Sequence, residues 1–276
     1  MSRAIKTIFF LGIFLVICGC SHDQYAVERD YWKVKKQVES IFKNPAGVPP
    51  NELERVVGQL NKFVEKNPKN VLALEAEFTI ARVYLVKNEF EQSRKQLKSI
   101  MAKYAKSAVI CSEALFMIGN TFQTQDKWQS ALEQYKKVIS DYALSTRGLE
   151  TPIYIAQYYK VKFQPDKMLA AFGEAIDHYR ALANKHPDSP LAFKAFTLIS
   201  SCYSATKDWP NTINTLNTVM EKFKGKVKLD VILLDMALIY KKELKDPVKT
   251  KEILERLIKE YPDSKFLTAA KTLLKS

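Results

Sequence analysis

The stretch Ile118–Tyr142 reads IGNTFQTQDKWQSALEQYKKVISDY, and its pattern decides the fold. Its first five residues run aliphatic, small, two variable positions, aromatic. Ile80–Tyr84, Ile155–Tyr159, Ile199–Tyr203 and Met236–Tyr240 have the same form. The closing aromatics Tyr84, Phe122, Tyr159, Tyr203 and Tyr240 are spaced 38, 37, 44 and 37 residues apart. A second series, Tyr104, Tyr142, His186, Phe223 and Tyr261, is spaced 38, 44, 37 and 38. Both series carry the same extra residues in the third unit, so they mark one repeated structural unit.

Between the markers the pattern is helical. Apolar or small residues fall at Trp128, Ala131, Leu132, Tyr135, Val138 and Ile139, and at Phe90, Ser93, Leu97 and Ile100. Trp209, Thr212, Ile213, Leu216, Val219 and Met220 repeat the scheme. Each set is one buried stripe at 3.6 residues per turn. Asn67-Pro68, His186-Pro187-Asp188-Ser189 and Tyr261-Pro262-Asp263-Ser264 supply stops, because Pro cannot continue a helix and Asp or Ser caps the next one. One helical pair cannot bury its own apolar face, so neighbouring pairs must stack.

The small–aromatic pairs Gly119/Phe122 and Ala156/Tyr159, a small residue nine positions further on and an aromatic-Pro ending resemble tetratricopeptide repeats over roughly residues 51–276. Ser93, Ala131 and Thr212 fill the small slot, and Leu97, Tyr135, Leu216 and Ile253 the bulky one. The terminal Pro is present as Pro187 and Pro262, while Ala105, Ala143 and Lys224 replace it elsewhere. The unit starting near Ser145 is longer, with Phe163-Gln164-Pro165-Asp166 in its turn. The resemblance implies an all-α fold, a right-handed α-solenoid of stacked helix pairs over residues 68–276, closed by a capping helix at Ser264–Lys275. Residues 28–67, broken by the loop Asn44–Pro50, form a degenerate N-terminal helix pair.

The resemblance also places binding on the first helix of each pair, at positions nine, six and two before the marker aromatic and one after it. These are Glu75, Phe78, Arg82 and Leu85; Glu113, Phe116, Asn120 and Gln123; Glu150, Ile153, Gln157 and Lys160; Lys194, Thr197, Ser201 and Ser204. Arg82, Asn120, Gln157 and Ser201 would form a hydrogen-bonding ladder for an extended peptide, with Phe78, Phe116 and Ile153 as apolar contacts. Arg82 or Lys160 would hold a carboxylate. Replacing Asn120 and Gln157 together by Ala is expected to weaken binding without unfolding the stack.

The N-terminus carries an address. Arg3 and Lys6 precede eleven apolar residues, Ile8–Cys18, too few for a spanning helix, which needs about 20. This is the form of a secretory signal covering residues 1–19. Ile17-Cys18-Gly19-Cys20 resembles the bacterial lipobox, which implies acylation of Cys20, with palmitate among the chains. Residues 20–27 then form a lipidated tether, and Ser21 in place of Asp implies sorting to the periplasmic side of the outer membrane.

Cys111 and Cys202 then remain, 91 residues apart in non-adjacent repeats, and are read as packing residues. The whole chain has Lys+Arg 43 against Asp+Glu 30; loss of residues 1–19 leaves 41 against 30, or +11. Scattered lysines without a stacking aromatic series argue against nucleic acid. Only eight Gly occur in 276 residues, and no phosphate loop, dinucleotide fingerprint or nucleophile elbow is present. His22, His178 and His186 lack metal-ligand spacing. The expectation is a non-enzyme without cofactor, metal or small-molecule substrate.

Lipobox plus repeats is similar in plan to the BamD/ComL-type outer-membrane lipoproteins. That family's Arg-Phe-Ile-Arg-x-Tyr-Pro run is absent, Ile139-Ser140-Asp141-Tyr142 being the nearest stretch. The expected function is a lipid-anchored scaffold binding envelope proteins, in outer-membrane protein or secretin and pilus assembly. The alternative is a basic solenoid that binds peptidoglycan or lipopolysaccharide, or that coordinates cell-wall synthesis.

Overall fold

The computed structural model describes residues 24–275. The expected signal segment, Cys18, the Cys20 acylation site and His22 lie outside the described residues. Helix α1 covers 24–43, a 3-10 turn Pro45–Gly47 follows, and α2 is Pro50–Lys66. Pairs then follow: α3 (Val71–Val86) with α4 (Phe90–Lys103), α5 (Ala108–Thr124) with α6 (Trp128–Asp141), and α7 (Thr146–Val161) with α8 (Pro165–Lys185). After these come α9 (Pro190–Ala205) with α10 (Trp209–Lys222), α11 (Asp230–Lys242) with α12 (Pro247–Glu260), and the closing α13 (Leu267–Lys275). The fold is all-α, with no strand among the described residues.

The chain forms two compact units, one ending at Thr151 and the other starting at Pro152, within α7. In the first, each helix from α2 to α6 packs on the next. In the second, α8 to α13 do the same. At the start of the first unit Tyr31, Val34, Val38 and Ile41 of α1 bury against Leu53, Val56, Leu60 and Phe63 of α2 and Ile80 and Val83 of α3.

The repeat is visible as a burial pattern. Ile80, Ile118, Ile155, Ile199 and Met236 are buried, each followed by buried Ala81, Gly119, Ala156, Ser200 or Ala237. α3, between α2 and α4, is apolar nearly all round, as VLALEAEFTIARVYLV; α4, FEQSRKQLKSIMAK, keeps one apolar stripe. Gly119 is dictated by contact, since a Cβ there would lie 2.4 Å from Cε1 of the fully buried Tyr135. The Tyr135 hydroxyl lies 2.7 Å from Oδ1 of Asn120 and 2.8 Å from Oε1 of Gln123, so its proton goes to one of them.

Both marker series are helix ends. The N–H groups of Glu89, Lys127, Gln164 and Asp208 donate to the carbonyls of Tyr84, Phe122, Tyr159 and Tyr203, five residues back. The preceding residues, Asn88, Asp126, Phe163 and Lys207, have φ between 54° and 60°. These four first helices thus close in Schellman turns, whose left-handed residue is usually a glycine. α11 ends in a wider turn, where the Asp246 N–H donates to the Tyr240 carbonyl six residues back and Lys245 has φ 56°. The second series are the C-caps of α4, α6, α8, α10 and α12. Three residues beyond four of them stand Ser107, Ser145, Ser189 and Ser264, whose hydroxyls accept from Ile110, Gly148, Ala192 and Phe266 N–H groups.

The extra length of the third unit is in its second helix. α8 has 21 residues where α4, α6, α10 and α12 have 14. Seven residues are close to two turns, so Phe172, Ala175 and Ile176 are followed on the same buried face by Tyr179, Leu182 and Ala183. The turn before α8, Phe163-Gln164-Pro165-Asp166, has the ordinary Schellman bonds.

Candidate functional site

In the first unit α3 and α5 present their exposed edges to a groove of about 710 Å³. Val71, Leu72, Leu74, Phe78 and Leu85 come from α3, Met117, Asn120 and Thr121 from α5. Arg82, Glu75, Glu113 and Ser93 supply the remaining polar rim. The wall is mostly apolar with a few convergent polar groups, the ordinary make-up of a binding cleft.

The charges in this groove are not equivalent. Glu75 accepts from Lys35 Nζ at 2.9 Å. Glu113 is held bidentately by Arg147, Nε to Oε2 at 2.6 Å and the second nitrogen to Oε1 at 3.0 Å. Arg82 is exposed, and no hydrogen bond or ion pair engages it among the described residues. Burial, then the adjacent Glu75 carboxylate, push the Tyr31 phenol far above its usual pKa, and Arg82 acts against that shift. An unengaged guanidinium above an apolar wall is suited to a carboxylate, which it binds with two parallel hydrogen bonds.

Of the residues expected in the groove, Phe78, Arg82 and Asn120 line it together, with Glu75, Leu85 and Glu113. Phe116 does not serve as an open apolar contact. It is 6% exposed, with the Arg147 guanidinium 4.5 Å above its ring and Tyr135 at 5.1 Å. Met117 supplies the apolar wall on α5 instead. Gln123 stands over the Tyr135 hydroxyl. Asn120 has a structural duty there as well, so the double Asn120/Gln157 replacement is not neutral for folding. In the second unit Ile153 is half-buried and Gln157, Lys160 and Ser201 are exposed, the Ser201 hydroxyl donating to the Thr197 carbonyl at 2.9 Å.

Sequence reasoning passed over Arg147, Met117 and Leu74. Arg147 lies 34 residues from the Glu113 it clasps, and nothing local marks the pairing. Cys111 and Cys202 are buried free thiols. Burial raises Cys202 to about 12, which keeps it protonated and inert. His178 sits below its usual pKa because it is partly buried. No group of three metal-ligating side chains occurs among the described residues.

The tetratricopeptide repeat family model matches residues 113–145 and 232–264, which are α5–α6 and α11–α12 with their turns. No curated protein matches the chain. Among solved structures it is similar to BtubC from P. vanneervenii, at 12% identity and TM-score 0.43, over 82% of this chain and 90% of that one. It is also similar to Pseudomonas aeruginosa pilF, at 12% identity and TM-score 0.36, over 87% and 95%. The yeast Sti1 TPR2AB domain in complex with pHSP90 aligns at 13% identity and TM-score 0.33, over 89% and 97%. The chain carries tetratricopeptide-type repeats, matched directly at residues 113–145 and 232–264.

Proposed function

We propose that this protein is a non-catalytic scaffold whose first-unit groove binds an extended segment of another protein. The observation that carries this reading is Arg82, a cation without a partner among the described residues, set in an apolar groove whose carboxylates are already engaged. The bound segment carries an acidic side chain or a terminal carboxylate beside an apolar residue. The repeat match supports a protein-binding role, and the lack of a nucleophile elbow or phosphate loop in the sequence supports a role without turnover. The lipobox-like Cys20 supports a lipid anchor on the periplasmic side of the outer membrane, and with it a partner among envelope assembly proteins.

Peptides selected from a displayed library on the full chain test the groove. Selected sequences are expected to share a carboxylate next to apolar residues. A charge-assisted hydrogen bond is worth about 1.5–3 kcal/mol, so Arg82→Gln should weaken them by roughly ten- to hundred-fold. Selected peptides without a carboxylate, or indifferent to Arg82, overturn the assignment. Incorporation of labelled palmitate, lost in Cys20→Ser, tests the anchor separately.

A further inference from the structure

Four of the five turns that close a first helix place Asn88, Asp126, Lys207 or Lys245 at the left-handed position, all polar residues. The turn between α7 and α8 places Phe163 there, with φ 54° and 92% of the residue exposed. A bulky residue is disfavoured at positive φ, and a fully exposed phenylalanine adds nothing to the core. Two unfavourable choices coincide at one side chain, and the Schellman bonds around it are the same as in the Asn88, Asp126 and Lys207 turns. Folding therefore gives no reason for phenylalanine at this position.

The surroundings indicate what Phe163 meets. Val161 is 73% exposed and Leu169, in the second turn of α8, 52%. Lys160, Lys162 and Lys167 flank them, also exposed, with Asp166 as the acidic residue of the tip. Lys162 Nζ lies 5.7 Å from the Tyr158 ring and Lys167 Nζ 5.9 Å from the Tyr159 ring, which keeps both cations at the turn. Three apolar side chains are thus exposed within nine residues, with lysines interleaved among them. An exposed aromatic turn flanked by lysines complements an anionic bilayer surface, where rings enter the interface and ammonium groups meet the headgroups.

We propose that the α7–α8 turn is a membrane-docking tip: Phe163 inserts into the interface of an anionic bilayer while Lys160, Lys162 and Lys167 bind its headgroups. Burying one phenylalanine side chain shifts partition by roughly ten- to hundred-fold, and each lysine near an anionic surface by about fivefold. The inference rests on neither the groove nor the Cys20 reading.

The apolar run 8–18 is common to every variant, so the readout belongs at residue 163 itself. Phe163→Trp is introduced into the full chain, and the emission of the wild-type chain, with its own Trp32, Trp128 and Trp209, is subtracted. Vesicles of phosphatidylcholine and phosphatidylglycerol with brominated acyl chains should quench the added emission. Changing Lys160, Lys162 and Lys167 to Gln should raise the lipid concentration needed by at least fivefold, and pure phosphatidylcholine should quench weakly. Phe163→Asn should melt at or above the wild-type temperature, since Asn tolerates the left-handed conformation, as Asn88 does in the first such turn. Added emission that stays unquenched overturns the proposal, as does equal quenching by neutral lipid. Protection of residue 163 by a partner protein, with no quenching by lipid, also overturns it.

Discussion

At the scale of single residues, the repeat is held in register by contacts that tolerate little change. Gly119 and Tyr135 show this most directly, because the ring fills the space that any Cβ at position 119 would need. Overpacking a filled site costs about 1–3 kcal/mol. Gly119→Ala should lower stability by that amount in a denaturant melt, and combining it with Tyr135→Leu should give a strongly non-additive result, because the two changes compete for one space. The five aliphatic–small–aromatic markers were legible in the sequence for the same reason: each slot is filled by a neighbour at a fixed offset. The burial of Phe116 was not. By spacing it is equivalent to the open Phe78, but Arg147, 31 residues later, covers its ring.

At the scale of elements, helix ends explain why the period is readable. The carbonyls of Tyr84, Phe122, Tyr159 and Tyr203 accept the closing bonds of Schellman turns, that of Tyr240 the closing bond of a wider turn, and each second-series marker is a C-cap. Replacing Ser189, whose hydroxyl caps α9, by Ala should cost about 1 kcal/mol, read as a shift of the denaturation midpoint at unchanged slope. The extra length of α8 makes a sharper prediction. Because Phe172/Tyr179, Ala175/Leu182 and Ile176/Ala183 repeat at seven, excising residues 173–179 keeps one buried stripe. Excising five residues from the same stretch turns the stripe away from its neighbours. The first variant should melt cooperatively by circular dichroism, and the second should not. Sequence spacing located the insertion between two markers; without the helix bounds, the turn and the helix were equally open to it.

At the scale of the whole molecule, charge partners hold three carboxylates, Asp230, Glu91 and Asp188, in the ionised form. Asp230 is buried, which raises its pKa, but the Ser264 hydroxyl at 2.6 Å, the Val231 N–H and Lys228 hold it below the usual value near 3.8. Glu91 is lowered by Arg94, and Asp188 by Lys226. A carboxylate depressed in the folded state contributes stability above its unfolded value, lost as pH falls through the folded one. Stability should therefore drop on acidification below about pH 4, and Asp230→Asn should flatten that drop while lowering stability at neutral pH. The polar half of the groove follows the same logic of partners. Sequence position gave Glu75, Arg82 and Glu113 equal standing, and only the long-range pairs Lys35–Glu75 and Arg147–Glu113 leave Arg82 as the available charge.

Site-specific photocrosslinking tests the central claim most directly. A photoreactive residue at Phe78, in the groove, is compared in the native cells with one at exposed Lys98 on α4. The groove position should capture one protein segment with a carboxylate within a few residues of the crosslink, and Arg82→Glu should abolish it. Identical captures from both positions, or a capture unchanged by Arg82→Glu, would contradict the account.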